Sequence, residues 1–197
     1  MPRVSEEHRE SRREQIRQAA LRAFVDKGYQ HTSIADVVSE AGLSAGAIYS
    51  HYEGKHDLFA AVAEKALSQN LADVVRTSAG VPAPGPLEVL RALTVGPVRG
   101  VDVGRLLVQL WAEATVDPEI RAVVQRVAAS LREILTRALT PWYESRPDLA
   151  PDGAGTAAAR LAPVVLVLGQ GFQLQRATLD DFDVETYLEH AAGVLPG

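Results

Sequence analysis

A compact set of neighbouring side chains, Ala45, Gly46, Ala47, Tyr49, Ser50 and His51, carries the non-covalent chemistry of this chain. Read as a helix restarting at Ser44, the stretch buries Leu43, Ile48 and Tyr52 and turns the others outward. The first three are slim enough to bring a backbone close to another body. The last three add a phenol, a hydroxyl and an imidazole that can bond to it. Covalent chemistry has far less to draw on. With no cysteine there is no thiolate nucleophile, disulfide or thiolate metal site. Nor does the chain carry a glycine-rich phosphate loop, a His-Glu-x-x-His helix or a serine elbow. Asp180, Asp181 and Asp183 could hold a hard cation but read more simply as an acidic helix-capping loop. No catalytic residue, cofactor or metal is expected.

Two short helices must hold that surface. Ser33 can cap the first by accepting first-turn amides, and Asp36, three residues on, can bond back or favour the positive end. Ile34, Val37 and Val38 supply its apolar side, and Gly42 sits where a sharp turn calls for positive φ. Before it, a helix from about Glu10 buries Ile16, Ala19, Ala20, Ala23 and Phe24, shows Arg12, Arg13 and Arg17 elsewhere, and stops at Gly28. Tyr29 is expected to pack back on this bundle. After a break at Glu53-Gly54, Lys55 opens a long helix that runs to about Thr77 on Leu58, Phe59, Val62, Ala66, Leu67, Leu71 and Val74.

In this register the chain resembles the DNA-binding domain of the TetR family of one-component transcriptional regulators, over about residues 12–67. The matching residues are Phe24 to Gly28, Thr32-Ser33, Ala41-Gly42-Leu43-Ser44, Gly46, Ile48-Tyr49, His51-Tyr52, and Lys55 leading into Asp57-Leu58-Phe59. The resemblance implies a helix-turn-helix DNA-binding domain over 10–54 and a ligand-binding and dimerisation domain over 55–197. It implies that Thr32 or Ser33, His51 and Lys55 grip phosphates, that Tyr49 points at phosphate or a thymine methyl, and that Tyr52 holds the helix. Ser44, Ala45, Gly46, Ala47 and Ser50 complete the expected DNA face. The chain departs from the family at Ala45, where many members carry Lys, Arg or Gln, at Ala35, and at Ser50, where a larger residue is common. Bidentate reading of guanine by a recognition-helix arginine is therefore closed, and specificity must lean on apolar contact, Ser44 or Ser50, or DNA shape.

Charge qualifies this reading. The net charge is −5, and residues 1–57 carry eight Lys and Arg against nine Asp and Glu. Arrangement matters more than totals, since Arg3, Arg9, Arg12, Arg13, Arg17 and Lys55 could share one side. Non-specific DNA affinity should be modest and strongly salt-dependent. Residues 1–9 lack apolar periodicity and read as a solvated tail, or as an arginine-bearing arm on DNA.

The rest of the chain is read as all-α, without repeats or strand-like alternation. A Pro- and Gly-rich loop over 79–86 precedes a short helix from Leu87 to about Val95, stopped by Gly96-Pro97. Helices follow over 102–115 and from Pro118 to about Pro141, then a connection over 144–155. A small-residue helix over 156–178, with Pro163 bending it or marking its true start, and a shorter one over 183–194 close the chain. The resemblance implies a small-molecule pocket among the middle helices. Gln109, Trp111, Glu113, Phe172 and Gln173, with Trp142, are polar or aromatic groups suited to line it. Glu113 near Trp111 and Phe172 would favour a lipophilic cation, although Trp111 also reads as core and Glu113 as a solvated residue. The resemblance further implies that the last two helices pair with those of a second copy. Val165, Leu168, Gly169, Phe172, Tyr187 and Ala191 are placed at that interface, with Gly169 and Gly171 allowing close approach; the alternative is a helix central to its own bundle.

No apolar run approaches the roughly 20 residues of a membrane span, and the polar N-terminus lacks a signal-peptide core. The expectation is a cytoplasmic homodimeric repressor, with no membrane partner, on a near-palindromic double-stranded DNA operator. A small lipophilic effector would release it by shifting the helix that starts at Lys55. The competing expectations are an activator or ligand-independent regulator, or a helical adaptor or enzyme that binds no DNA.

Overall fold

The computed structural model describes residues 6–78, 83–94 and 104–197, the side chains of 67–78 excepted. Outside them lie Arg3 and most of the N-terminal tail, the stripe Leu67, Leu71 and Val74, much of the Pro- and Gly-rich loop, Gly96-Pro97 and Asp102. The described residues form helices α1 (Glu6–Lys27), α2 (Ile34–Ala41), α3 (Ala45–Tyr49), α4 (Lys55–Ser78) and α5 (Pro86–Thr94). Then come α6 (Gly104–Val116), α7 (Pro118–Glu144), α8 (Ala154–Thr178) and α9 (Val184–Ala192), with a 3-10 turn over Pro147–Leu149. The architecture is all-α.

α1 begins four residues earlier than expected, at Glu6, because Glu6 and Glu7 place negative charge where the helix end is positive. Ile16, Ala19, Ala20 and Phe24 are fully buried along it, and Gly28, at φ 81°, ends it in the left-handed region as anticipated. Phe24 meets Phe59 edge-on at 5.1 Å, and Tyr29 packs on Phe59 at 4.3 Å, so aromatic contacts fasten α1 to α4. Pairs of this kind contribute about 1 kcal/mol each beyond their buried area. α4 in turn lies against α5 and α7, which makes it the shared member of the N-terminal and C-terminal bundles.

Two prolines sit inside helices. Pro141 does not end α7, which continues to Glu144, because Trp142 and Tyr143 in the next turn are buried and packed edge-to-face at 4.9 Å. Pro163 does not start α8, which begins nine residues earlier at Ala154. The backbone bond it removes is outweighed by burial on both sides, at Ala158, Leu161, Ala162, Val165 and Leu166. By length and composition α8 could cross a membrane, contrary to the expectation that no apolar run approaches a membrane span. Here it is packed against α5, α6 and α7, as a core helix is.

Candidate functional site

The turn that presents α3 is built from backbone caps. Ser33 and Asp36 form a reciprocal box at the start of α2: the Asp36 amide donates to Ser33 Oγ at 3.2 Å, and the Ser33 amide to Asp36 Oδ2 at 2.8 Å. The Lys27 ammonium pairs with the same carboxylate. Lys27, with the Ser33 hydroxyl and amide, holds the Asp36 carboxyl far below the usual range. Gly42, at φ 64°, closes α2 by donating its amide to the Val38 carbonyl. Ser44 then accepts the Ala47 amide at 3.2 Å and starts α3.

Ile48 is fully buried and anchors α3, with Tyr52 also inside and Leu43 half-buried. Ala45, Gly46, Tyr49 and Ser50 are exposed, and Ala47 and His51 are half-buried. Tyr49 is 56% exposed, more than a core-packed tyrosine allows. The two hydroxyls are not equivalent. Ser50 gives its proton to the Ala47 carbonyl at 2.7 Å and can only accept from a partner, whereas Ser44 keeps its proton to give.

Arginines of α1 flank this face. Burial first, then the charges of Arg13, Arg9 and Arg12, holds the His51 imidazole below the ordinary histidine value. Arg12 leans on Gln15 at 2.9 Å, and Gln15 bonds the Ala41 carbonyl, tying α1 to the end of α2. Arg17 departs from the expected basic side, because Glu10 at 2.6 Å and Glu14 at 2.8 Å hold its guanidinium.

Three residues expected at phosphates have hydrogen-bond partners within the chain. Thr32 is buried, and its hydroxyl lies 2.7 Å from the Gly28 carbonyl and 3.1 Å from that of Ala23, so it closes the α1–α2 turn. Ser33 is exposed, yet its hydroxyl donates to Asp36 at 2.5 Å and accepts the Asp36 amide. Lys55 donates to the Tyr29 carbonyl at 3.0 Å and the Gln30 carbonyl at 3.3 Å, with its ammonium 4.6 Å from the Tyr29 ring centre. These contacts hold the start of α4 beneath the α1–α2 turn.

The expected pocket residues separate into three groups. Trp111 and Gln173 line one narrow cavity with Leu93, Leu131, Gly169 and Gln170, about 40 Å³ in volume, room for a few waters. Gln109 and Glu113 point the other way, to the N-terminal bundle: Gln109 Oε1 accepts the Tyr29 amide at 2.7 Å, and Glu113 accepts from Gln30 at 2.7 Å. Phe172 is fully buried against Phe182 and Tyr187, at 5.2 and 5.4 Å, so it belongs to neither the cavity nor an outer surface. A carboxylate–aromatic cage for a cation does not form. Trp142 lies apart from the cavity lining, under Arg146 at 4.4 Å. At the same junction His56 Nε2 lies 3.0 Å from Asp117 and Nδ1 3.4 Å from Glu119, a link to the α6–α7 corner that spacing did not flag.

The residues expected at the pairing face lie mostly inside the chain's own bundle. Val165 and Ala191 are buried, and a Cβ on Gly169 would come 2.7 Å from Leu93 Cδ2, so Gly169 admits α5 of its own chain. Leu168 and Tyr187 are half-buried and joined by a 2.7 Å bond from the phenol to the Leu168 carbonyl. The outer face of α8 shows Val164, Val167 and Leu174, 46%, 62% and 47% exposed, with half-buried Gly171 between them. Their 3-4-3 spacing was readable in sequence, but α8 is apolar on both sides, and spacing alone gives no reason to choose between them.

Residues 16–62 match the family model described as bacterial regulatory proteins, tetR family. An uncharacterised HTH-type transcriptional regulator of Mycobacterium tuberculosis is 30% identical over 157 residues, 75% of this chain and 77% of that one. An HTH-type transcriptional repressor of the same organism is 34% identical over 97 residues, 49% of this chain and 48% of its own length. In fold, the chain is similar to a TetR transcription regulator from Haloarcula marismortui, with TM-score 0.77 and 22% identity over 93% of this chain and 96% of that one. It is also similar to a transcriptional regulator from Saccharomonospora viridis in complex with choline, with TM-score 0.73 and 21% identity over 93% and 95% of the two chains.

Proposed function

The chain belongs to the tetR family of bacterial regulatory proteins, and from that premise we propose that it is a ligand-responsive repressor acting in the cytoplasm as a homodimer on a near-palindromic operator. That it is a transcriptional regulator follows from the family; repression is supported by the relative named a repressor. Residues 10–54 read the duplex, and residues 55–197 bind the effector and the second subunit.

The observation that carries the DNA reading is the outward face of α3. Ala45 and Gly46 are exposed beside Tyr49 and Ser50, with Ile48 fully buried behind them, so the helix can enter a major groove without unfolding. Arg9, Arg12 and Arg13 near His51 supply backbone attraction at its edge. With no arginine on α3, bases are read by the Ser44 donor, the Ser50 acceptor and apolar contact from Ala45 and Ala47.

The second subunit docks on Val164, Val167, Gly171 and Leu174 of α8, an apolar stripe that a solvated helix would not carry. Two such subunits place their α3 helices in successive major grooves, roughly 34–36 Å apart. An effector in the Trp111–Gln173 cavity shifts α6 and, through Gln109 and Glu113, the α1–α2 turn. The ligand can release DNA only by as much as it prefers the non-binding arrangement.

Selection of bound duplexes from a random pool tests this reading. Recovery of an inverted repeat with half-sites one helical turn apart supports it. Recovery of unpatterned sequence, or none, sinks it.

A further inference from the structure

The cavity between α5, α6, α7 and α8 is lined, among the described residues, by no ionisable side chain. Its polar groups are two carboxamides, Gln170 and Gln173, and the Trp111 indole; Leu93, Leu131 and their neighbours make up the rest. The nearby carboxylate, Glu113, is taken by Gln30 at the domain junction. The most buried of the polar groups is Gln173, only 7% exposed. Its amide reaches the Thr94 carbonyl at 3.5 Å, at the limit of a hydrogen bond, and among the described residues that carboxamide makes no other. A carboxamide so weakly paired keeps donor and acceptor capacity for a ligand.

The geometry points to an uncharged effector: a slender apolar molecule bearing one neutral hydrogen-bonding group, an amide, ketone or alcohol, that pairs with Gln173 while its chain lies along Trp111 and Leu131. This rests on the reading of the cavity as the effector site and names the chemistry it accepts. A cation or carboxylate would lose its hydration here with no opposite charge to replace it, whereas a neutral amide meets a carboxamide that can give and accept. The same logic separates this chain from the fold neighbour that binds choline, a quaternary cation. At about 40 Å³ the cavity is too small for such a chain in this conformation, so the ligand enters by displacing flexible side chains such as Leu93.

The test uses three probes of one length that differ in the head group: octanamide, octylammonium and octanoate. Each is titrated into the full-length protein, followed by Trp111 fluorescence against a Trp111→Phe control, since Trp142 is the other tryptophan. Octanamide should bind roughly tenfold or more tighter than either ion, the discrimination expected when a charge is buried without a partner. Gln173→Leu should weaken octanamide about fivefold, the loss of one neutral hydrogen bond. Gln173→Glu should reverse the order in favour of octylammonium, and an unchanged melting transition certifies each variant's fold. Equal or tighter binding of an ion to the native protein overturns the inference, as does the absence of binding by all three. Operator release is scored separately. An ion that binds tighter and releases DNA overturns the ligand class while sparing the regulatory reading. An octanamide-selective cavity whose occupation leaves DNA bound does the reverse.

Discussion

The side-chain carbonyl of Gln109, midway along α6, accepts the backbone amide of Tyr29, the residue just past the end of α1, at 2.7 Å. Two residues 80 apart in sequence thus join the helix beside the cavity to the turn that leads into the DNA-reading helices. Lys55 meets the same turn from below through the Tyr29 and Gln30 carbonyls, and Gln30 reaches Glu113. Movement of α6 therefore reaches the turn through hydrogen bonds as well as packing.

Gln109→Leu keeps the volume of the side chain and deletes that bond. It should cost about 1 kcal/mol, since the Tyr29 amide is left half-buried without its partner. For a chain of this size that is roughly 2–4 °C in Tm. Operator affinity without effector should change little, while the ratio of effector affinities for free and DNA-bound protein should fall toward one. Calorimetric titrations with and without operator measure that ratio.

Thr32→Val tests whether the hydroxyl faces the core or a phosphate. Facing the Ala23 and Gly28 carbonyls, its loss should lower stability by about 1–2 kcal/mol in a thermal melt. Affinity for DNA should stay put. A uniform loss of affinity across sequences, with unchanged stability, would point to a phosphate contact instead.

The Asp36 carboxyl is held low by Lys27 and by the Ser33 hydroxyl and amide. A depressed folded value means the stabilisation is complete above the unfolded carboxylate value of about 3.9 and is lost as pH falls below it. Asp36→Asn should therefore be less stable than the native chain at pH 7, and the gap should close progressively below about pH 4. Denaturant melts across that range read the difference.

For His51 the sign is opposite. Burial and the flanking arginines keep the free imidazole below its ordinary value, and a phosphate alongside would raise it. DNA binding should then take up a proton, with affinity rising as pH falls from about 8 toward 6, and His51→Gln should flatten the profile. Fluorescence anisotropy of labelled operator at constant ionic strength follows both.

Much of this was legible in sequence because local chemistry decides it. Ser33, Asp36, Gly42 and Ser44 specify their caps without help from the rest of the chain, and Ile48 fixes which side of α3 faces outward. What spacing could not show is where tertiary packing decides. Thr32 and Lys55 matched phosphate-gripping positions, but a hydroxyl or ammonium bonds the nearest free carbonyls, and α1 supplies them within reach. Gln109 and Glu113 share a helix with Trp111, yet a step of two residues turns a side chain by about 200°, to the opposite side. In α8, small and apolar residues on both faces hid which one was covered.

That ambiguity separates two substitutions. Gly169→Leu drives a side chain into Leu93 and should destabilise the monomer fold by roughly 1–3 kcal/mol. Val167→Glu, on the 62% exposed outer face, should leave the fold intact and yield monomer at micromolar concentration in sedimentation velocity. A Val167→Glu protein that still sediments as a dimer would move the interface elsewhere.

The most direct test replaces Ala45 with glutamate. Ala45 is exposed in the first turn of α3, where an acidic side chain is well tolerated, so the melting temperature should not change. A carboxylate there would face the duplex, and affinity for the selected operator should fall about 100-fold or more. Undiminished binding by Ala45→Glu would contradict the placement of this helix in the groove.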